Sequence, residues 1–408
     1  MSRILISFLG PGPLEKASSK EDSLHTSRVY RKADYHLANG DADIPLGKYS
    51  FVSAALSQYY HTDKILLIGT PHSMWEEVYS YFGGQDDNSY LEIADYCNKA
   101  KYDTPIENSI PHLAQIEELL GKGSKVILIK YGITPQEIKE NIDTILGLEQ
   151  YLSTGDELIV DITHSFRSLP IFIMNLLIYL QNVSGKGVTI SHIHYGMLDI
   201  VNELGYARIV DLKEILTVNE WISGAYSFSE FANGYKIAEL LEEEENKSAA
   251  MRIRRFSDLL NLNHLSAIQN EAQGLTGIQY NSKISQMSVK PIVDKFKHTF
   301  GKNDNPSHFQ LKMARWHFSN RKYALSYLTL LEAIVTYKCM KEELDWENYD
   351  DRENAKEMIK KDPILSHIYY NIRKVRNCTA HAIRSNVNYK QMIEQLSQAL
   401  KELEEIIK

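Results

Sequence analysis

Residues 157–181 read ELIVDITHSFRSLPIFIMNLLIYLQ, and the order of their parts decides the fold of the first half of the chain. Glu157–Ile162 is apolar nearly throughout, as expected for a strand covered on both faces. A polar turn follows, Thr163-His164-Ser165-Phe166-Arg167-Ser168. The apolar run Leu169–Leu180 then has helical length. It contains Asn175 and falls well short of the roughly 20 residues that span a bilayer. A buried helix is therefore predicted, and no membrane segment.

Working outward, the same unit recurs. Short β-rich runs stand at Ile4–Leu9, Lys64–Gly69, Lys125–Lys130, Val188–His194 and Ala207–Val210. Helical patterns lie between them at Tyr49–Tyr60, Ser73–Tyr81, His112–Leu120, Pro135–Tyr151 and Phe166–Gln181. Such alternation argues for a parallel sheet with right-handed crossovers. Residues 1–212 are thus expected to form an α/β, Rossmann-like domain.

Beyond residue 212 the character changes. Residues 213–408 show no convincing strand, and helical spacing dominates. Residues 213–300 read as a helical connecting region. It carries an acidic run, Glu242–Glu245, and a basic cluster, Arg252, Arg254 and Arg255, both most simply solvated helix faces. The turn Gly301–Ser307 opens an all-α C-terminal domain, 301–408. In its first strong helix Ala324, Leu328, Leu331 and Val335 form one stripe, and Tyr323, Tyr327, Leu330 and Ile334 the stripe beside it. In the second, Leu365, Ile368, Ile372, Val375 and Thr379 repeat at helical spacing, with Pro363 near the start.

Composition narrows the function classes. The 408 residues are 43% hydrophobic and 24% charged, which reads as globular. The net charge of −8 excludes bulk adhesion to nucleic acid, so any RNA must be gripped by a local positive site. The three cysteines, Cys97, Cys339 and Cys378, form no Cys-x-x-Cys pair, which supports neither a zinc ribbon nor a disulfide framework. A cytoplasmic setting fits this usage. Met1–Leu9 is too short an apolar run for a signal peptide.

Two groups of residues carry chemistry. In a parallel sheet ligands bind beyond the carboxyl ends of the strands. The loops there hold Gly10 and Gly12, then Gly69, Thr70 and Ser73, then Thr163, His164, Ser165 and Arg167, and lastly Tyr195 and Gly196. Glycines let backbone approach a ligand, and hydroxyls and backbone N–H groups at a helix start suit an anion. Arg167 adds charge, while His164 and Tyr195 suit a base. Trp75 reads as core. Neither Gly-x-Gly-x-x-Gly nor a phosphate loop of the Gly-x-x-x-x-Gly-Lys type is present.

The second group is Arg376-Asn377-Cys378-Thr379-Ala380-His381, late in the helical domain. A histidine moves a proton near neutral pH, and a guanidinium holds a phosphate and neutralises growing charge. Asn377 sits one turn before His381 and suits orienting the ring. Arg376 and His381 stand about 140° apart around an ideal helix. They converge more easily if two copies pack helix against helix. The bland alternative is a surface arginine and a partly buried histidine near a helix end.

Gly69-Thr70 with Ser73-Met74-Trp75, together with Asp161–Pro170, resembles the signature segments of the CARF domain of CRISPR-associated proteins, and Tyr30–Tyr35 resembles an early segment of that branch. Arg376-Asn377 followed by His381 resembles the active-site motif of HEPN ribonucleases, and Ala324–Ile334 the long core helix of that fold. The two resemblances together imply a homodimeric CARF–HEPN protein. Cyclic oligoadenylate would be its allosteric activator, bound across the CARF dimer, and single-stranded RNA its substrate. They imply no metal or cofactor in the cleavage. The alternative is a non-catalytic sensor that binds a protein or nucleic acid, or one that degrades its own ligand.

Overall fold

The computed structural model describes residues 1–13, 29–40, 42–107, 109–164, 166, 168–301, 304–380 and 388–407. The chain divides into two compact units, Met1–Thr217 and Val218–Lys408.

The first unit is built on an eight-stranded sheet: β1 (Arg3–Leu9), β2 (Ala33–Leu37), β3 (Ile44–Tyr49), β4 (Lys64–Gly69), β5 (Lys125–Leu128), β6 (Glu157–Asp161), β7 (Thr189–Met197) and β8 (Ala207–Asp211). The order is β3-β2-β8-β7-β6-β1-β4-β5. The run β7-β6-β1-β4-β5 is parallel, as the alternating pattern predicts. The expectation of a wholly parallel sheet is corrected, because β8 runs antiparallel to β7 and β3 antiparallel to β2. The strands β2 and β3 escape sequence reading for a physical reason. They are short and lie at one edge, β3 carries Pro45 and Gly47, and most of its residues are exposed or half-buried.

The central strand β1 is buried on both faces. Ile4, Ile6 and Phe8 pack with Leu66, Ile68, Leu158, Val160 and the helix Leu169–Asn182. Leu5 and Leu9 face the other way, onto Leu67, Trp75 and the helix Val52–Tyr60. From β1 the chain first forms β2 and β3 at the far edge, then adds β4 and β5 on one side of β1 and returns to β6 on the other. The carboxyl end of β1 is therefore the topological switch point, where diverging loops open a crevice.

The second unit is helical throughout its described residues. It holds two apolar clusters. One gathers Trp221, Phe228, Phe256, Phe296 and Phe300; the other gathers Leu330, Ile334, Ile359, Ile372 and Leu403. The helix Pro306–Ser319 serves both, giving Phe309 and Met313 to the first and Leu311 and Ala314 to the second. The long helix Tyr323–Lys341 corrects one expectation. Tyr327, Leu330 and Ile334 are buried as predicted, but Ala324 and Leu328 of the neighbouring stripe are exposed at their end of the helix. Ser326 and Thr329 are buried in their stead. Ser326 Oγ donates to the Ala314 carbonyl and Thr329 Oγ1 to Asn263 Oδ1, so hydrogen bonds allow two hydroxyls into the core.

Candidate functional site

The loops that follow β1, β4 and β6 meet at the switch point. A cavity of about 150 Å³ opens there, lined among others by Gly10, Gly69, Thr70, Ser73 and His164. Five of the residues singled out in sequence are thus brought together. A second cavity, about 420 Å³, shares His164 and is lined among others by the cations Arg31, Lys32 and Lys48 and the carboxylates Asp34 and Asp199. His164 is the wall common to both.

Local packing sets each loop. The Met74 N–H donates to the Gly10 carbonyl, and the Arg31 N–H to the Pro13 carbonyl. Those two bonds tie the first loop to the second and to the segment entering β2. Gly12 adopts φ +66°, and a Cβ there would come within 2.2 Å of Met74 Cε, so only glycine fits. At Gly69 a Cβ would lie 2.7 Å from the Trp75 ring. Trp75 is fully buried and its Nε1–H donates to the Thr70 carbonyl, so it is core, as its type suggests.

The hydroxyls work inside the protein. Ser73 Oγ donates to the Leu9 carbonyl at 2.6 Å and accepts from the Thr70 N–H at 3.0 Å, holding the second loop closed. Thr163 Oγ1 donates to Asp161 Oδ1 at 2.6 Å and accepts from the Gly196 N–H at 2.7 Å. Gly196 is packed behind Thr163, where a Cβ would lie 3.1 Å from its side chain. These residues shape the crevice. Gly12, Thr163, Gly196 and the exposed Tyr195 line neither cavity. Ser165 and Arg167 lie outside the described residues.

Asp161, which the sequence reading left out of the candidate site, is its buried anchor. Its carboxyl accepts from Ser7 Oγ at 2.5 Å, from the Thr163 N–H and from Thr163 Oγ1. Burial pushes its pKa up; the nearby His164 and these donors oppose the rise. Burial also lowers the pKa of His164, against the pull of Asp161. The Val52 N–H donates to His164 Nε2 at 3.4 Å, which needs an unprotonated nitrogen and fits a neutral ring. A neutral imidazole in a crevice edge offers a face for stacking and one N–H for a ligand oxygen. The basic residues that sequence reading missed, Arg31, Lys32 and Lys48, suit an anion in the larger cavity. Arg31 and Lys32 had a signal, since they sit in the Tyr30–Tyr35 segment; Lys48 had none.

The second group sits in the other unit. Arg376 and Asn377 are half-buried in the last turn of the helix Leu365–Ala380. His381 lies outside the described residues. Among the described residues no group of three His, Cys, Asp or Glu could hold a metal ion, and no helix is long and apolar enough to cross a membrane.

A largely parallel sheet with a crevice at its switch point is thus followed by an all-helical unit. Comparison with known proteins defines the class. Residues 4–199 match the family described as the CARF domain of the CRISPR system endoribonuclease Csx1, and residues 217–306 match the second domain of CRISPR-associated protein MJ1674. By these matches residues 4–199 form a CARF domain like that of CRISPR-associated proteins. It is 34% identical over 413 residues to CRISPR-associated protein MJ1674 of Methanocaldococcus jannaschii. That alignment takes in 94% of this chain and 62% of the relative, so the chain spans less than two thirds of the relative's length. Enterococcus italicus Csm6 bound to cyclic hexa-2'-fluoro-hexa-dAMP aligns with a TM-score of 0.39 and 11% identity, covering 100% of this chain and 94% of that one, a likeness too slight to carry an argument.

Proposed function

We propose that the protein is a cyclic-oligoadenylate-activated endoribonuclease that cleaves single-stranded RNA without a metal, as part of CRISPR antiviral defence. The observation that carries this reading is the crevice at the switch point of a CARF sheet. There Gly10, Gly69, Thr70, Ser73 and His164 converge beside Arg31, Lys32 and Lys48. Backbone that approaches closely suits a phosphodiester, cations neutralise it, and a neutral imidazole suits an adenine. Two-fold symmetry of a homodimer matches an even-membered ring.

The cleaving residues are Arg376, Asn377 and His381 of the helical unit. His381 would take the proton of the RNA 2′-hydroxyl as its oxygen attacks the neighbouring phosphorus. The bond from phosphorus to the 5′-oxygen breaks, and that oxygen leaves with a proton. The products are a 2′,3′-cyclic phosphate and a 5′-hydroxyl. Arg376 neutralises charge on the phosphorane, and Asn377 orients the ring or the phosphate. A second copy brings an Arg376 to the His381 of the first. Binding of the activator shifts the two copies toward this geometry through its higher affinity for that state. The domain reading remains a CARF region over 1–212, a helical connector over 213–300 and a HEPN-like domain over 301–408.

The test is cleavage of a fluorescent single-stranded RNA with and without cyclic oligoadenylates. Activity that appears only with the ligand is expected. A protein that binds the ligand but never cuts RNA would instead be a non-catalytic sensor.

A further inference from the structure

One cavity of the second unit is assigned to nothing so far. It measures about 560 Å³ and is lined by Arg321, Tyr323, Ala324, Tyr327, Val375, Tyr389, Met392 and Ile393. A space of that size takes a nucleobase with its sugar. Its walls are three tyrosines and aliphatic side chains, and it carries one cation. Val375 immediately precedes Arg376 on the helix Leu365–Ala380, so the cavity adjoins the segment that bears the proposed cleaving residues.

The three tyrosines differ in freedom. Tyr327 is buried and its hydroxyl donates to the Met392 carbonyl at 2.6 Å, so it is a fixed wall tying the helix Tyr323–Lys341 to the helix Tyr389–Ile407. Tyr323 is half-buried with its ring edge-to-face with Phe318. Tyr389 is 67% exposed at the first turn of its helix. An aromatic ring this exposed at a cavity rim presents a face for stacking. Among the described residues the arginine ion pairs of this unit engage Arg254, Arg255, Arg315 and Arg352. Arg321 is in none of these; it is exposed at the turn between two helices, where its φ of +57° fixes the backbone.

We propose that this cavity is a subsite for one unpaired base of single-stranded RNA. Tyr323 and Tyr389 form the stacking platform, and Arg321 contacts the adjoining phosphate. The proposal rests on the ribonuclease reading for its substrate class. Stacking reads an unpaired base by its π-face and tolerates any sequence, and the strand must be single for a base to leave its stack. The local cation also answers how a chain of net charge −8 grips RNA.

The experiment measures fluorescence anisotropy of a 12-nucleotide single-stranded RNA with Arg376→Ala protein, alongside steady-state cleavage by protein with Arg376 intact. Tyr389→Ala and Tyr323→Ala are each expected to weaken binding about 10-fold and to raise KM by a like factor, with kcat within about twofold. Tyr389→Phe should restore both, because the ring and not the hydroxyl stacks. Arg321→Ala should weaken binding and flatten its salt dependence. A strand with one abasic position should bind more weakly to the Arg376→Ala protein, yet no more weakly than the intact strand to its Tyr389→Ala derivative. Weakened binding by Tyr389→Ala in a protein that never cleaves would keep the subsite and discard the ribonuclease reading. Cleavage and binding that both ignore Tyr389→Ala and Tyr323→Ala would discard the subsite and keep that reading. Equal competition by a duplex of the same sequence would also overturn it.

Discussion

The two units solve the same problem, placing polar chemistry in a folded chain, by opposite routes. In the first, Gly10, Gly69 and His164 are separated by 59 and 95 positions and meet only because β1, β4 and β6 lie side by side. In the second, Arg376 and Asn377 are neighbours on one helix, and the proposed site lies in a single short segment of sequence. A crevice between strand ends can gather many weak contacts and so suits a large ligand. A helix end presents few groups. The difference teaches where each unit is vulnerable: the first through its packing, the second through single side chains.

The sharpest way to break this contrast is His381→Ala. Cleavage of RNA should fall by at least about 100-fold, the usual share of a general acid–base group, while cyclic oligoadenylate still binds in calorimetry. Cleavage at the normal rate would remove the helix-end site. In the first unit the matching blow is to packing. Trp75→Ala should cost about 3–5 kcal/mol in denaturant unfolding, since the buried ring fills the space behind Gly69 and holds the Thr70 carbonyl. Activator binding should weaken with it.

Acid tests both units together. His194 of the first unit and His317 of the second are both buried, and burial lowers each imidazole to about 4. In the unfolded chain each takes up a proton near pH 6.5. Between those values the unfolded state binds more protons, so stability is full above pH 6.5 and is lost as pH falls toward 4. Each histidine should contribute a loss of about 2 kcal/mol by pH 5. Melts of His317→Gln should show a shallower pH slope than the parent protein; an unchanged slope would sink the assignment. Smaller still, Lys48→Ala should raise the activator concentration for half-maximal cleavage about 10-fold, as loss of one charge-assisted contact does. Chelation with EDTA should leave cleavage unchanged; loss of activity would point to a metal nuclease.

Much of this was legible in the sequence. Six strands and five helices of the first unit were legible because buried strands are apolar nearly throughout and helical spacing separates them. The helix Asp87–Lys99, the edge strand β3 and its neighbour β2 were not: the helix is largely polar and exposed, and an exposed edge places little demand on side-chain pattern. Trp75 was readable as core from its type alone. Gly10, Gly69, Thr70, Ser73 and His164 were readable as neighbours at one crevice because loops at strand ends converge there. The roles of Ser73 and Thr163 were not readable, because a hydroxyl near a strand end looks the same whether it faces a ligand or, as here, a neighbouring loop.

By itself the sequence determined the alternation of the main strands and helices, the change from α/β to all-α after residue 212, and the helix that bears Arg376 and Asn377. Those depend on periodicity and local spacing, which a linear string contains. Tertiary structure alone decided that Asp161 anchors the crevice, that Arg31, Lys32 and Lys48 gather beside His164, and that Tyr323 and Tyr389 share a cavity. Each of those depends on which distant segments become neighbours, and that is settled by burying the sheet and the bundle as wholes, not by any stretch of residues taken alone.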